Sequence, residues 1–539
     1  MIKTLHGYIW RDLLRVTLLS LVALTLVMTL FAIIEPLRKQ GLSGLQALRL
    51  FVYTLPVMLS FTLPVASLFA ATIVYGRFSQ DRELMACRAS GIGTFAVLQP
   101  ALVLGLGVTV ACLGLSNYVA PKLARMGEAA VQRNIQDTLF HKIKTEGHFE
   151  YGKFLIHADA VDADHNPPVL YGVVAMDVKD PNDVRLVAAS SAFVQFRNRL
   201  NETYVSVLLG DAAEFQTGRP GVYQMEEFRL DTPPLPQIFE DEPMFYQWDE
   251  LLEMWDKPHK YPEVARGLEH IRRHMGFLQA LREIRATIHA GEAYTELARD
   301  NEQLTIEGPA AWQEGWKRVH IAPRGHRKGR SHVTVRQGGR TVQEARGDRL
   351  TVEVVAGELV GQPHLAVRLQ GSVMVSHLGQ DQPETYRREA WKLGNIPVPA
   401  SIMEGVEQVQ REALFRTPEA VTDDPIVLDR IEQLKEYRVT RVILDIVAEL
   451  HGRLAYGVSC FLLVALGAAL GILLRGGQMI SAFTISMIPA AIVIVMVLMG
   501  QQMISNPDVG VRAGVLAMWS GVVLLTVANL GLYGHLMRR

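Results

Sequence analysis

Charged residues are scarce at both ends of this 539-residue chain. Asp, Glu, Lys and Arg make up 20% of the chain, against about 25% in ordinary globular proteins. Only 13 of them lie in residues 1–121 and only five in residues 454–539. This distribution excludes a wholly water-soluble chain, and the composition excludes a disordered or fibrous one. The net charge of −1 gives no indication of a nucleic-acid partner. The three cysteines, none of which lies between Cys112 and Cys460, exclude a disulfide framework in the middle region.

The sequence motifs of common catalytic sites are also missing. The chain contains no GxxxxGK[ST], HExxH, GxSxG or CxxC pattern. His270 and His274 are one helical turn apart, a spacing that can bind a metal ion. With Arg272 and Arg273 between them, they are more typical of a polar helix face. We therefore expect a protein that is not an enzyme and that has neither a cofactor nor a metal site of its own.

What the two ends do contain is uncharged stretches of bilayer length. Their lengths in chain order are 19, 27, 33, 21, 32 and 25 residues, at 16–34, 50–76, 89–121, 454–474, 476–507 and 513–537. About 20 helical residues cross the hydrocarbon core of a bilayer. Six such stretches favour six transmembrane helices, three before and three after the polar block, over buried helices of a soluble core.

The positions of Lys and Arg predict that both termini are cytoplasmic. Alternating spans place four short basic segments on one side: the N-terminus, the loops after spans two and four, and the C-terminal tail. The middle block then lies on the other side, and it is long enough to be translocated whatever its charge. The first span does not predict a cleavable signal peptide, because Glu35–Lys39 follows it instead of small residues.

The middle block reads mainly as β-strand. Strands are predicted at 153–157, 169–178, 184–197, 203–209, 318–321, 332–336, 350–355, 365–369 and 372–377, and the first four favour an antiparallel sandwich or jelly roll. The expected fold is a helical membrane protein whose large extracytoplasmic, jelly-roll-like β domain carries a helical insertion. The expected domains are spans 1–3 with a cytoplasmic helix 79–91 (1–121), a β-jellyroll (122–245), a helical insertion (246–303), further strands (304–400), an amphipathic linker helix (401–453) and spans 4–6 (454–539).

The loop between spans two and three predicts a short helix at the inner membrane surface. Ser79 is a suitable N-cap, Asp81 and Glu83 complement the positive helix end, and Gly91 is a natural stop. Such a helix of about three turns is either a plain connector or a docking element for a cytoplasmic protein. The residues alone leave both interpretations open.

The same loop resembles the coupling-helix signature of the LptF/LptG (YjgP/YjgQ) permeases of lipopolysaccharide export. The resemblance lies in Gly76–Ser79, Glu83-Leu84 and Arg88–Gly91. Four further landmarks are similar to the family's in the same order: the turn Glu35–Gly41 after span one, Leu63-Pro64 in span two, Tyr118–Pro121 closing span three, and Glu449–Tyr456 at the start of span four. Residues 246–400 have no counterpart in the family that we can place.

The resemblance implies a permease subunit of an ABC-type lipid exporter in the inner membrane. Such a subunit would pair with a sister or identical permease, dock a cytoplasmic ATPase dimer that binds the ATP, and pass lipopolysaccharide or a similar lipid to a periplasmic β-jellyroll bridge. The residues implied in ATPase coupling are Arg77, Asp81, Arg82, Glu83, Leu84 and Arg88.

Arg38 and Lys39 match a basic pair that would meet lipid phosphates. The alternative for this pair is ordinary snorkelling of basic side chains at a helix end.

Two rival functions remain at this point. One is a mechanotransmitting ABC membrane protein that acts on a periplasmic partner without moving lipid. The other is a membrane-anchored β adaptor that has no ATPase. A cavity with apolar walls and basic residues at its rim would favour lipid transport over mechanotransmission, and dependence on Glu83 would exclude the adaptor.

Overall fold

The computed structural model describes most of the chain, in two compact units. The described residues are 2–40, 44–126, 143–144, 147–151, 154–162, 168–180, 183–199, 202–216, 223–231, 241–299, 302–324, 328–355, 363–378, 384–474 and 479–538. The first unit, here called the membrane unit, comprises Met1–His141, Pro236–Tyr261 and Glu436–Arg539. The second, here called the β unit, comprises Lys142–Leu235 and Pro262–Lys435.

Helices account for most of the described part of the membrane unit. The α-helices are α1 (Ile2–Gln40), α2 (Gly44–Gln80), α3 (Glu83–Ala89), α4 (Thr94–Gly114), α5 (Trp248–Asp256), α6 (Pro262–Ala290), α7 (Ala400–Glu407), α8 (Arg411–Arg416), α9 (Pro418–Val421), α10 (Pro425–Gln433), α11 (Thr440–Leu473), α12 (Met479–Ser505) and α13 (Val511–Arg538). A π-helical turn at Leu115–Val119 extends α4, and another at Leu434–Val439 joins α10 to α11. Among the described residues, six helices are long and apolar enough to cross a bilayer, at Lys3–Ile34, Leu50–Gln80, Thr94–Met126, Pro425–Leu473, Thr484–Ser505 and Val511–Arg538. The predicted three-plus-three arrangement is confirmed.

Helix α11 lies at the centre of the membrane unit and packs against α2, α4, α12 and α13. Its closest neighbour is α2, because two glycines one turn apart let the backbones meet. A Cβ at Gly467 would lie 2.8 Å from the carbonyl oxygen of Leu68, and one at Gly471 would lie 2.7 Å from that of Thr72. These two positions therefore fix how closely the first three spans approach the last three.

The β unit begins with a six-stranded antiparallel sheet whose strands pair in chain order. Its strands are β1 (His148–Tyr151), β2 (Phe154–Asp162), β3 (Val169–Asp180), β4 (Asp183–Arg199), β5 (Glu202–Gln216) and β6 (Tyr223–Asp231). Gly172 in β3 has a φ of 61°, and the Asp159 carboxylate of β2 occupies the space that a Cβ would need. Only glycine fits that conformation and that contact.

The β unit also contains a nine-stranded antiparallel sheet. Its strands are β7 (Tyr294–Arg299), β8 (Glu302–Glu307), β9 (Ala311–Glu314), β10 (Arg318–Ile321), β11 (Ser331–Gln337), β12 (Arg340–Gly347), β13 (Arg349–Val355), β14 (His364–His377) and β15 (Glu384–Ile396). They run in the order β7-β8-β11-β12-β14-β13-β10-β9, and β15 pairs with β14. The second half of α6, from Phe277 to Ile288, packs its apolar face into the core of this sheet.

Several sequence-based boundaries are wrong. The helical insertion expected at 246–303 ends at Ala290, and β7 begins at Tyr294. In the region 401–453, where a single linker helix was expected, three short helices, α7 to α9, come first, and α10 then continues through a π-helical turn at Leu434–Val439 into α11. Pro418 and Pro425 each start a new helix there, because proline fits the first turn and interrupts a helix interior. The two strands expected at 365–369 and 372–377 are one strand, β14. The turn expected after Glu35 is helical as far as Gln40.

His274 is a buried residue of α6, and its ring packs edge-on against Trp316 with 4.5 Å between ring centres. Burial, and then the nearby charge of Arg430, lowers the pKa of His274 to about 4. The imidazole is therefore neutral at pH 7. Among the residues that the structure describes, no group of three or more His, Cys, Asp and Glu is arranged to hold a metal ion.

Candidate docking site on the membrane unit

The connection between α2 and α4 contains the helix predicted at 79–91, but the helix starts later than expected. Helix α2 continues to Gln80, and α3 covers only Glu83–Ala89. Ser79 is therefore not an N-cap. It is buried inside α2, and its Oγ donates a hydrogen bond of 3.0 Å to the carbonyl oxygen of Ile472 in α11. The residue expected to start the docking helix instead joins α2 to α11.

A buried leucine attaches α3 to the bundle, and a glycine ends the helix. Leu84 is 1% exposed and belongs to the apolar core formed by α1, α2, α4 and α11. At the other end, Gly91 has a φ of 78° and donates to the carbonyl of Arg88, while the N–H of Ile92 donates to that of Cys87 over 2.9 Å. This pair of bonds is a Schellman motif, so Gly91 is the stop that the sequence predicted. Because Leu84 lies in the core of the spans, we expect α3 to move with them.

Arg82 precedes α3 in a left-handed conformation, with a φ of 62°. Its carbonyl accepts from the N–H groups of Met85 and Ala86, so the turn is part of the helix start. A residue with a Cβ pays of order 1 kcal/mol to hold this conformation. The side chain of Arg82 is exposed.

Two substitutions of Arg82 separate its backbone role from its charge. Arg82→Gly should match or exceed the wild-type stability, since glycine adopts a positive φ without strain. Arg82→Val removes the same charge and should destabilise the protein by about 1–2 kcal/mol, because a β-branched residue resists that conformation. Thermal unfolding of both variants in detergent measures the difference. Equal melting temperatures for the two variants would contradict the backbone role.

Arg77 and Glu83 border one shallow cleft, with Tyr8 and Asp12 of α1 opposite them. Arg77, in the last turn of α2, forms an ion pair with Asp12, and its guanidinium is about half exposed. Glu83 is the first residue of α3, where its negative charge complements the positive end of the helix. The structure thus brings these two predicted residues together and ties one of them to α1.

The remaining predicted docking residues differ in exposure. Asp81 and Arg82 are exposed, and so is Met85, which the sequence analysis did not predict and whose apolar side chain is 56% exposed. Arg88 is half-buried, and its Nε donates to the Thr94 hydroxyl over 3.2 Å. Leu84 is buried, so it holds α3 in place and is not available for direct contact with another protein.

Cys87, on the same helix, has a thiol whose pKa is raised, first by burial and then by the charge of Glu83. A raised pKa keeps the thiol protonated at neutral pH, and a protonated thiol is a poor nucleophile. Arg38 and Lys39, the predicted substrate-binding pair, belong to the last turn of α1. Their side chains lie outside the described residues.

A second arrangement, to which the sequence analysis gave no role, lies at the end of the bundle opposite α3. Arg453 of α11 is buried, and its Nη2 donates to the carbonyl oxygens of Pro243, Met244 and Tyr246 over 3.0–3.2 Å. Its Nε donates to Glu449 over 2.7 Å, and its Nη1 donates to Asn117 over 3.3 Å. One guanidinium thereby joins the third and fourth spans to the segment that precedes α5.

Six bilayer-length helices, an antiparallel β block inserted between the third and the fourth, and a short helix anchored at one end of the bundle define a multi-pass membrane protein of the transporter-subunit class. The family model described as "Lipopolysaccharide export system permease LptF/LptG" matches residues 7–274 and 371–535, which are most of the chain. The chain therefore belongs to the LptF/LptG family, whose members are permease subunits of the lipopolysaccharide export transporter and not enzymes. It is a multi-pass protein of the inner membrane. No curated protein matches the chain.

The family match also corrects the extent of the extra region. The segment without a counterpart, expected at 246–400, is the shorter stretch 275–370 that the family model leaves unmatched. It contains the second half of α6, strands β7 to β13 and the start of β14. Helix α5 and the segment before it belong to the family-matched part.

Proposed function

We propose that this chain is the transmembrane half of an ABC-type exporter that extracts lipopolysaccharide or a similar lipid from the outer leaflet of the inner membrane. A separate cytoplasmic ATPase dimer binds the ATP and docks on α3. A second six-span permease, either a sister chain or an identical copy, completes the transmembrane part. The β unit lies in the periplasm, both termini lie in the cytoplasm, and the lipid passes to a periplasmic β-jellyroll bridge.

The observation that carries the proposal is the anchoring of α3. Leu84 holds one side of α3 to the core of the spans, while Met85 on α3 and Asp81 and Arg82 in the turn before it are exposed. An exposed apolar side chain surrounded by charges is the usual composition of a protein-docking surface. Force applied to such a helix passes through Ser79 and Arg77 to α11 and α1.

The exposed side of α1 supports the transport part of the proposal. A long apolar stripe on this helix is uncovered within the chain, formed by Leu18, Leu19, Val22, Leu26, Leu30 and Phe31. An apolar helix face of this length suits the acyl chains of lipids or the spans of a second permease. Both contacts are required of a half-transporter that forms one wall of a lipid cavity.

The variant Glu83→Ala tests the docking of the ATPase. We expect about a tenfold loss of ATPase co-purified from detergent, because a contact to a charged group contributes about 1.5–3 kcal/mol. The helix itself should survive, since loss of one charge at a helix N-terminus costs less than about 1 kcal/mol. Lipid bound to the purified complex is identified in the same samples by mass spectrometry.

Glu419→Ala is the matched control, because Glu419 is also a glutamate in the first turn of a short helix, and it is exposed and lies in the β unit. It should leave both the ATPase and the lipid unchanged. Undiminished ATPase in Glu83→Ala would refute docking through Glu83 and favour an adaptor without an ATPase. A complex that retains the ATPase but never carries lipid would instead favour mechanotransmission.

A further inference from the structure

Helix α5 is amphipathic, with an apolar face and an acidic one. Trp248, Leu251, Leu252 and Trp255 recur at the i, i+3, i+4, i+7 spacing of one helix face. The other side carries the four acidic residues Asp249, Glu250, Glu253 and Asp256, with Met254 between Glu250 and the apolar face. A helix with this pattern must bury its apolar face against something.

The membrane unit covers only part of that face. Leu251 is fully buried, and α5 packs against α11. Trp255 remains 51% exposed and Leu252 40% exposed. On the acidic side, Glu250 is paired with Arg125, and Glu253 is paired with Lys260. The apolar face of α5 that the membrane unit leaves exposed therefore includes an aromatic side chain.

Three contacts fix the level of α5 along the spans. The carbonyl of Tyr246, two residues before the helix, accepts from Arg453 over 3.0 Å. Arg125, on the extension of the third span, forms a bidentate pair with Glu250 over 2.7 and 2.9 Å. Phe245 packs against Ala120 and Ala124 of that same extension.

Arg453 is also the last charged residue before the uncharged stretch 454–474. The start of α5 therefore lies level with the point where the fourth span leaves the hydrocarbon. That level is the interface between headgroups and acyl chains, where tryptophan is enriched and amphipathic helices bind in the plane of the membrane.

We infer that α5 is an interfacial helix, with Trp255 and Leu252 inserted into the bilayer surface at the end of the bundle opposite α3. The occupant of its open face is lipid, because that face is apolar and aromatic and lies at the depth where spans three and four end. Two of the four carboxylates on the acidic side, Glu250 and Glu253, are paired with Arg125 and Lys260. The inference holds whichever way the chain is oriented in the membrane, and it is independent of the proposed docking on α3.

Nitroxide labels on single introduced cysteines test the position of α5. The labels are placed at Leu252→Cys and Trp255→Cys on the apolar face and at Asp249→Cys and Asp256→Cys on the acidic face. The full-length chain is reconstituted in nanodiscs of phosphatidylethanolamine and phosphatidylglycerol, and the unsubstituted chain provides the background of its native thiols. Collision with oxygen reports contact with lipid, and collision with a water-soluble nickel chelate reports contact with water.

We expect the oxygen-to-nickel collision ratio to be roughly threefold or more higher at positions 252 and 255 than at 249 and 256, as lipid burial of one face requires. Met374→Cys is the matched control, because Met374 in β14 is also an apolar residue that is 40% exposed. Its label should show the aqueous pattern. An aqueous pattern at 252 and 255 would overturn the inference. Exclusion of both reagents there would overturn it as well, since a protein would then cover the face.

Discussion

Replacing Gly471 with leucine should push α2 away from α11 and lower the free energy of unfolding by about 3 kcal/mol or more. A Cβ at this position would lie 2.7 Å from the Thr72 carbonyl, 2.9 Å from the Gly76 nitrogen and 3.2 Å from the Tyr75 Cβ. Two of these three atoms are backbone, so no side-chain rotation relieves the overlap. The helices themselves must separate, and overpacking of this kind costs more than the loss of a surface contact.

Thiol-reactive fluorescence during heating measures this loss. Cys112 and Cys460 are buried in the spans and become reactive only when the spans come apart. The melting temperature should fall by about 5 °C or more. Ile472 follows Gly471, and its carbonyl oxygen accepts the hydrogen bond from the Ser79 hydroxyl. The variant should therefore also weaken the attachment of α3. ATPase co-purification should then fall with the melting temperature.

Gly107→Leu is the control for the introduced side chain. Gly107 also lies inside a spanning helix, but a Cβ there would meet no described atom within 4 Å. Its melting temperature should stay close to that of the wild type. If Gly471→Leu is as stable as Gly107→Leu, the close approach of α2 and α11 is not what holds the two halves of the bundle together.

The spans could be predicted from the sequence because the cost of placing a charged side chain in the bilayer decides where they lie. A charged side chain at the centre of a bilayer costs about 2.5–3.5 kcal/mol on insertion scales, so the length of an uncharged stretch is sufficient evidence. The close contact of α2 with α11 also leaves a signal, since Gly467 and Gly471 have the small-residue spacing of tightly packed membrane helices. The spacing does not indicate which helix is the partner, and that helix lies some 400 residues earlier in the chain.

The start of α3 was predicted wrongly for a physical reason. Ser79 has the side chain of an N-cap, but its hydroxyl bonds to the carbonyl of Ile472, and α2 continues through it. The residue that interrupts the helix is Arg82, whose left-handed conformation has no signature in the sequence because arginine does not favour it. The end of α3 was predictable, since Gly91 is a residue that does favour a positive φ.

The hydrogen bonds of Arg453 could not be predicted from the sequence. Its position at the start of the fourth span resembles ordinary placement of a basic residue at a membrane boundary. Three of its acceptors are backbone carbonyls about 200 residues away in the chain, and any residue type supplies a carbonyl. The positive charge of Arg453 is buried away from water. It is stabilised there because the three carbonyls, Asn117 and Glu449 all accept hydrogen bonds from the guanidinium.

Arg453→Met should therefore lower the free energy of unfolding by about 3 kcal/mol, because it leaves buried carbonyls and Glu449 without their donor. Arg453→Lys should recover only part of this loss, since an ammonium group cannot reproduce the planar set of donors. Detachment of the segment before α5 should also speed tryptic cleavage after Lys260, and the rate should rise as stability falls. The matched control is Arg441→Met on the same helix, where the arginine is exposed and its removal should change stability by less than about 0.5 kcal/mol. Wild-type melting and wild-type trypsin cleavage in Arg453→Met would show that the guanidinium is dispensable, and that Phe245 and the Arg125–Glu250 pair suffice to hold α5 at the membrane surface.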